Sequence, residues 1–144
     1  SCGGLKDAVK DAQTTGEFVV NLVTWDLKEH MNASSVSAPH EIDEFVYSGL
    51  TKEDSMLVKC PRVAESPIHL ECRYMRSLEM LSDDPKSSNT VVFGEVIGVH
   101  VDDRMLINGK IDLLKVRPIG RLGYNDFAEV SNIFSIVRPT WEAE

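Results

Sequence analysis

The chain contains 144 residues, of which 42% are hydrophobic and 26% are charged, and its formal net charge at pH 7 is -8. This length and composition predict a single domain over residues 1–144 with a buried hydrophobic core. The acidic balance, without a basic cluster, argues against nucleic acids and anionic membrane surfaces as partners, and no apolar run approaches the ~20 residues that span a bilayer.

The cysteine content points to a reducing compartment. Cys2, Cys60 and Cys72 are an odd number of cysteines without metal-ligand or redox-motif spacing, and no charged-then-apolar signal peptide opens the sequence. We therefore expect reduced thiols and a cytoplasmic location.

The first predicted element is a helix over residues 5–13. Its apolar residues recur at the spacing of one helix face: Leu5, Ala8, Val9 and Ala12. Gly16 suits the left-handed residue that ends such a helix. The Ser- and Gly-rich residues before it can bind an anion through free backbone N–H groups and the helix dipole, with Lys6 adding a charge. A frayed terminus followed by a surface helix explains the same pattern.

A strand and a second helix follow. Residues 17–23 are largely apolar on both alternating faces, which predicts a central strand of a sheet. The second helix is predicted to run to about Met31, with His30 as a structural histidine on its face. Residues 32–35 are small and mostly polar, which lets a backbone approach a ligand; an ordinary helix exit is the alternative.

The middle of the chain predicts short elements. A solvated helix should end near Gly49, a further helix start lies at residues 51–54, and residues 57–63 are extended. His40 stands among surface carboxylates, and one histidine in such a setting seldom makes a metal site.

Apolar and polar residues then alternate in a strand predicted from Ile68 to Leu81. One face consists of Ile68, Leu70, Cys72 and Tyr74. The other face consists of His69, Glu71, Arg73 and Met75. We interpret Cys72 as a core residue and expect the polar face to meet solvent or another subunit.

A run of β-branched residues from Val91 to Val101 predicts another strand. Gly94 and Gly98 lie four residues apart, so a regular strand places both on one face together with Val96 and His100. Glycines in this arrangement indicate a bend, a bulge or a close approach.

Further β-structure is predicted beyond this strand. Residues 105–107 form a short strand, and Asn108-Gly109 is a strong hairpin signal. A last strand is predicted over residues 133–137. No Ser-His-Asp motif, metal-ligand cluster or phosphate-binding glycine motif is recognisable in the sequence.

Several segments resemble the flavin reductase-like, FMN-binding split-barrel family. They are, in chain order, TGEFVVNLV, MNASSVSAPHEIDEF, LVKCPRVAESPIHLECR, GEVIGVHVDD, NGKIDLLKVRPIGRLGYNDFA and FSIVRP. The resemblance covers almost the whole chain in the family's order. Similar proteins usually begin with a further strand that has an Arg-Pro start and with an Asn-x-Ala-Pro-x-Ser segment, and neither is present in this sequence.

The resemblance implies a mainly β barrel with short helices, the FMN-binding split barrel, incomplete at the N-terminus. It implies a homodimer with FMN at the interface, reduction of that flavin by NADH or NADPH, and electron transfer to an acceptor or a partner oxygenase. Two alternatives stay open. One is an FMN-binding electron carrier without nicotinamide activity, and the other is a fragment that borrows strands or cannot hold flavin.

The resemblance also implies cofactor-binding residues. Ser1, Lys6 and Asp7 approximately match the segment that wraps the FMN phosphate in similar proteins, although Ala8 stands where a hydroxyl residue is usual and Asp7 also suits a helix cap. The equivalents of Asn32, Ala33, Ser34 and Ser35 lie along the flavin in this family.

Two further positions follow from the resemblance. His100 would approach the flavin or the substrate opening, which makes it the predicted catalytic residue, as a binding or proton-supplying group. Alternatively, His100 is a structural residue whose hydrogen bonds hold the end of its strand in place. Arg121, with Tyr124, would reach a flavin from a partner subunit, with ion pairing and packing as the alternative roles.

Overall fold

The structure is a computed structural model that describes residues 7–36, 42–81, 83 and 89–141. The helices are α1 (Asp7–Thr15), α2 (Lys28–Ser34), α3 (Glu44–Ser48) and α4 (Leu113–Val116), with 3-10 turns at Trp25–Leu27 and Asp103–Met105. The strands are β1 (Glu17–Asn21), β2 (Lys52–Glu53), β3 (Arg62–Val63), β4 (Ile68–Met80), β5 (Asn89–Val101), β6 (Leu106–Ile107), β7 (Lys110–Ile111), β8 (Ile119–Arg121) and β9 (Phe127–Glu129). The fold is mainly β with few short helices, as predicted.

The largest sheet is antiparallel and has the strand order β1-β4-β5. Cys72 of β4 lies opposite Phe18 of β1 on one side, and Leu70 lies opposite Val99 of β5. The prediction of a central strand over residues 17–23 is wrong, because the 13-residue β4 takes the central position. β1 lies at an edge of the sheet formed by the described residues.

A β-bulge interrupts the pairing of β4 with β5. Glu71 lies opposite Gly98, but the next residue, Cys72, lies opposite Val96, so Ile97 is the extra residue on β5. An extra residue in one strand moves the side chains beyond it to the other face.

The bulge separates the two glycines of β5. A Cβ on Gly98 would meet Leu57 Cδ1 at 2.7 Å, whereas a Cβ on Gly94 would meet the Phe18 ring at 2.5 Å, on the opposite face. The prediction that both glycines and His100 share one face is therefore wrong. His100 shares a face with Gly98 only, because regular alternation ends at the bulge.

The first half of the polar face of β4 is covered rather than solvated. His69 is 5% exposed, with its Nε2 donating to the Val63 carbonyl oxygen at 2.8 Å, and Glu71 is fully buried beneath the segment 56–58. The prediction that this face meets solvent or another subunit is wrong for these two residues. Cys72, at 3% exposure, is a core residue, as predicted.

Local signals predicted several turns correctly. α3 is capped by the Asp43 side chain and ends at Gly49 in the left-handed region, with φ of 69°. Asn108 and Gly109 have φ values of 50° and 72° and join β6 to β7 as a hairpin. His30 Nδ1 donates to the carbonyl oxygen of Ser48 at 2.7 Å, the structural role predicted for it.

Two predicted elements are wrong. Residues 51–54 contain β2, which pairs with β3, instead of a helix start. Residues 133–137 form no strand, and Phe134 and Ile136 are 78% and 81% exposed. A strand requires a hydrogen-bonded neighbour, and the described part of the chain provides none for this segment.

Candidate functional site

A cavity of about 540 Å³ lies between α2 and the hairpin β8–β9. Asn32 and Ser35 line it from the C-terminal end of α2, and Arg121 lines it from β8. These are three of the residues that the family resemblance implies for flavin binding. The fold brings them to one cavity of one chain, although Ser35 and Arg121 lie more than 80 positions apart in the sequence. The resemblance instead implies that Arg121 reaches a flavin from a partner subunit.

The other predicted residues of α2 have a different placement. Ala33 and Ser34 do not line the cavity. The Ser34 hydroxyl donates to the carbonyl oxygen of Met31 at 2.9 Å, and the Ser35 hydroxyl donates to that of Asn32 at 2.7 Å. Both hydroxyl oxygens can therefore still accept a hydrogen bond, but only Ser35 lines the cavity where a ligand could donate one.

Aromatic rings and cations line the same cavity. Lys28 Nζ lies 4.1 Å from the centre of the Trp25 ring, and the Arg121 guanidinium carbon lies 5.7 Å from the centre of the Phe127 ring. All four residues belong to the lining. Sequence reasoning did not select Trp25, Lys28 or Phe127. The spacing of Trp25 and Lys28, three apart at a helix start, was the signal that they share a face.

Arg117 connects the two sides of the cavity. Its Nε donates to Glu129 Oε1 of β9 at 2.6 Å, and its guanidinium lies 5.5 Å from the Trp25 ring centre and 3.8 Å from an oxygen of Asp26. Its carbonyl oxygen accepts the Trp25 N–H at 2.9 Å. Arg117 holds a left-handed backbone with φ of 50°, which a non-glycine residue keeps only when its surroundings fix it. Arg117 therefore positions Trp25 against β9.

His100, the predicted catalytic residue, lies away from this cavity. Its Nε2 is 2.7 Å from Glu71 Oε1, beneath the segment 56–58. Nε2 has no partner in directed hydrogen-bonding geometry among the described residues, so this close contact is not a linear hydrogen bond. His100 therefore contacts Glu71 and does not line the cavity, and both roles considered for it stay predictions.

Backbone donors surround the Glu71 carboxylate. The N–H groups of Met56, Leu57 and Val58 donate to its two oxygens at 2.9, 2.6 and 3.0 Å. Burial by itself would raise the pKa of Glu71, but these three donors and the neighbouring His100 lower it below the ordinary value of 4.5. Glu71 is therefore held as a buried carboxylate.

The predicted phosphate-binding residues are not placed by the structure. Ser1 and Lys6 lie outside the described residues, and Asp7 is described only by its backbone, as the first residue of α1. Their role stays a prediction.

The described ranges contain neither a metal-binding cluster nor a membrane-spanning helix. No group of three or more His, Cys, Asp or Glu side chains there is placed to hold a metal ion. No helix of the described residues is long and apolar enough to cross a membrane.

Comparison with known proteins identifies the family. The family model described as "Flavin reductase like domain" matches residues 5–115. The chain belongs to this family, and its fold is the split barrel of flavin reductase-like proteins.

Individual relatives agree with this assignment. An uncharacterized protein of Halalkalibacterium halodurans is 35% identical over 138 residues, which are 96% of this chain and 66% of that protein. The crystal structure of nitrilotriacetate monooxygenase component B from Bacillus cereus has a TM-score of 0.83 at 26% identity, covering 94% of this chain and 67% of that one. Flavoredoxin of Desulfovibrio vulgaris (Miyazaki F) has a TM-score of 0.77 at 21% identity, covering 91% of this chain and 69% of that one, and supports the fold alone. The chain thus spans about two thirds of the length of these proteins.

Proposed function

We propose that this chain is a flavin-binding oxidoreductase domain that holds FMN in the cavity between α2 and β8–β9. The observation that carries the proposal is the convergence of Asn32, Ser35 and Arg121 on one cavity of about 540 Å³. The volume lies within the roughly 300–1,000 Å³ of small-molecule sites. NADH or NADPH is the proposed reductant, and residues 1–144 are proposed to form one domain.

The residues present suit a phosphorylated aromatic cofactor. Trp25 and Phe127 offer apolar ring surface, and Lys28 and Arg121 offer positive charge. The lining also contains Glu29 and Glu129, and the Glu129 carboxylate is paired with Arg117. The Asn32 amide and the Ser35 hydroxyl offer directed hydrogen bonds that orient a ligand. Ser1, Lys6 and Asp7 remain proposed phosphate contacts at the start of α1.

Bound FMN would supply the redox chemistry, so the chain itself needs to bind, orient and shield the cofactor. Trp25 and Phe127 are partly exposed and offer ring surface that a bound cofactor would cover, and Arg117 contacts both walls through Glu129 and Trp25. His100 remains a proposed binding or proton-supplying residue that acts beside Glu71 rather than in the cavity. A His100→Gln variant with an unchanged rate of flavin reduction would remove that role.

The acceptor side of the proposal rests on similarity. One similar structure is named as component B of nitrilotriacetate monooxygenase, which supports a partner oxygenase as the electron acceptor. We propose a homodimer with flavin at the interface and a cytoplasmic location.

Absorbance spectroscopy tests the proposal. The purified chain is incubated with FMN, passed through a desalting column and scanned for flavin bands. We expect retained flavin in about one equivalent per chain and bleaching when NADH or NADPH is added under nitrogen. Retained flavin that resists both nucleotides but is bleached by dithionite would identify an electron carrier. Loss of all flavin on desalting, together with no change in FMN fluorescence on titration, would contradict the proposal.

A further inference from the structure

A second cavity lies apart from the proposed flavin cavity. Its volume is about 340 Å³, and it lies between the turn Trp25–Leu27, the loop 64–67, the turn Asp103–Met105 and the end of α4. None of its lining residues also lines the cavity between α2 and β8–β9. It is therefore a separate space in the described part of the chain, with its own set of polar groups.

Hydrogen bonds within the chain hold the walls of this second cavity together. The Asp102 N–H donates to the Pro67 carbonyl oxygen at 2.9 Å, and the Trp25 N–H donates to the Arg117 carbonyl oxygen at 2.9 Å. The Ser66 hydroxyl, in a residue that is 4% exposed, donates to a carbonyl oxygen just after β1 at 2.8 Å. These bonds join the loop, both turns and the end of α4 into one frame, so the cavity is pre-formed, as small-molecule sites usually are.

Thr24 presents a buried hydroxyl group to the second cavity. The residue is 8% exposed and lines the cavity. It precedes the turn Trp25–Leu27, but its side chain makes no capping hydrogen bond, and no other described residue bonds to its hydroxyl group. Most buried hydroxyl groups in folded proteins are hydrogen-bonded. Thr24 therefore indicates that a polar group from outside the described residues binds in this cavity.

Charged side chains of both signs line the second cavity. One pair is matched within the chain, because Arg104 Nε donates to both oxygens of Asp102 at 3.0 Å. The Arg104 side chain lowers the pKa of Asp102 from its ordinary 3.8 to about 2. The remaining charged groups are two acidic residues, Asp26 and Glu65, and one basic residue, Lys115. These three side chains are left to pair with a ligand.

The Glu65 carboxylate is held in its ionised form. Its two oxygens accept the Thr51 N–H at 3.0 and 3.1 Å. Burial by itself would raise the pKa of Glu65, but these hydrogen bonds lower it below the ordinary value of 4.5. A carboxylate that accepts one N–H can accept further hydrogen bonds, so Glu65 can still bind an ammonium group.

Asp26 and Lys115 complete the pattern of charges. One oxygen of Asp26 lies 3.8 Å from Arg117 Nη1, and the Asp26 side chain is 84% exposed. Lys115 is exposed and forms no ion pair with another described residue. A ligand with only positive charge would leave Lys115 unmatched, and a ligand with only negative charge would be repelled by two carboxylates. The lining therefore favours a ligand that carries both an ammonium group and a carboxylate group.

We propose that the second cavity binds a small aminocarboxylate. The ligand's ammonium group contacts Glu65 and Asp26, and its carboxylate contacts Lys115 and accepts a hydrogen bond from the Thr24 hydroxyl. The volume of about 340 Å³ is near the lower end of the roughly 300–1,000 Å³ of small-molecule sites, which suits a ligand of amino-acid size. The proposal goes beyond the proposed function, because it requires neither flavin nor a nicotinamide.

Isothermal titration calorimetry of the chain without flavin tests this proposal. The probes are β-alanine, γ-aminobutyrate, ε-aminocaproate and L-lysine, which separate the two charged groups by different distances. We expect one of them to bind with a dissociation constant below about 1 mM. Its analogues with a single charged group, such as butylamine and butyrate for γ-aminobutyrate, should bind at least tenfold more weakly. No binding by any probe, or equal binding by a single-charge analogue, overturns the proposal.

Variants assign the binding to the second cavity. Lys115→Gln should weaken binding at least tenfold, whereas the matched control Lys110→Gln, an exposed lysine of β7 that lines neither cavity, should bind as the natural chain does. Thr24→Val should weaken binding and Thr24→Ser should retain it, because only serine keeps the hydroxyl group. Lys115 is exposed, so its variant tests the proposal even if Thr24→Val fails to fold.

A competition experiment separates this proposal from flavin binding. The titration is repeated with saturating FMN, and we expect an unchanged dissociation constant for the aminocarboxylate because the two cavities share no lining residue. Displacement of the aminocarboxylate by FMN would assign it to the first cavity and overturn the proposal. A chain that binds the aminocarboxylate but not FMN would contradict the proposed function and leave this proposal standing.

Discussion

The Glu71 carboxylate accepts hydrogen bonds from several consecutive backbone N–H groups. Three consecutive N–H groups, at residues 56–58, donate to it, and the next, from Lys59, donates to Glu17 Oε1 at 2.6 Å. Successive N–H groups that point to one side form a concavity that binds anions. Here the anions are the chain's own carboxylates, which fix this segment onto β1 and β4.

Removing the Glu71 carboxylate should destabilise the fold. Glu71→Ala leaves three N–H groups and His100 without their partner in a buried position, so we expect the free energy of unfolding to fall by about 3 kcal/mol. Urea denaturation at neutral pH measures this. Glu95→Ala, which removes an exposed carboxylate 3.5 Å from Arg73, should change stability by less than about 1 kcal/mol. Equal losses in the two variants would show that the Glu71 contacts are not significant for stability.

The same carboxylate predicts a pH dependence. The pKa of Glu71 is lowered in the folded state from its ordinary 4.5, so the unfolded chain binds the extra proton first as pH falls. The stabilisation from Glu71 is complete above about pH 4.5 and is lost as pH falls through the lower, folded pKa. Unfolding free energies measured from pH 6 to pH 3 should decline more steeply for the natural chain than for Glu71→Gln. Parallel curves would contradict this prediction.

The buried role of Glu71 could not be predicted from the sequence. The alternation of β4 assigned it to the polar face correctly, but alternation does not say what covers a face. The cover comes from residues 56–58, which adopt no regular secondary structure and therefore give no periodic signal.

At the scale of the elements, the two glycines of β5 allow close approach on opposite faces. At Gly94 a Cβ would meet the Phe18 ring at 2.5 Å and the Arg73 carbonyl oxygen at 3.2 Å. At Gly98 it would meet Leu57 Cδ1, the end of a flexible side chain, at 2.7 Å. The stiff Phe18 ring and the Arg73 backbone can move away from a new methyl group less easily than the Leu57 side chain can.

Alanine substitution should lower the free energy of unfolding by different amounts at these two glycines. We expect Gly94→Ala to lower the free energy of unfolding by about 1–3 kcal/mol, and Gly98→Ala to lower it by less. Gly120→Ala is the control, because nothing lies within 4 Å of its Cβ position. Phe18→Leu should partly restore Gly94→Ala by removing the ring contact. Thermal unfolding followed by circular dichroism measures all four, and a Gly98 variant less stable than the Gly94 variant would contradict the account.

Local signals predicted these elements better than sheet pairing did. The Asn108-Gly109 turn and the end of α3 at Gly49 depend on residues within a few positions, and both were predicted correctly. The position of β1 at a sheet edge depends on a partner strand about 50 residues away, and the bulge at Ile97 depends on one about 25 residues away. No local pattern specifies such a partner.

At the scale of the whole molecule, the described residues bury few apolar side chains. Those below about a tenth of full exposure are Ala12, Val58, Ile68, Cys72 and Val116. Many large apolar side chains of β4, β5 and residues 130–141 remain exposed. A surface of this kind indicates contact with further protein, which agrees with the proposed dimer.

The candidate site was partly predictable. The family resemblance selected Asn32, Ser35 and Arg121, but only the three-dimensional structure shows that one chain brings them to one cavity. Trp25, Lys28 and Phe127 were missed because a ring or a cation near a helix start or strand has many ordinary roles in a sequence.

The most direct test of the account is an equilibrium titration of the chain with FMN, followed by flavin fluorescence, for the natural chain and for Asn32→Ala/Arg121→Gln. We predict saturable binding of one FMN per chain and at least tenfold weaker binding by the double variant. The double variant loses a hydrogen bond to a charged group, which contributes about 1.5–3 kcal/mol, and about 1.4 kcal/mol corresponds to a tenfold change in affinity. Arg104→Gln, an exposed arginine paired with Asp102 outside this cavity, should bind FMN as the natural chain does. Equal affinity in the natural chain and the double variant would contradict the assignment of the cavity, and no binding by the natural chain would contradict flavin binding itself.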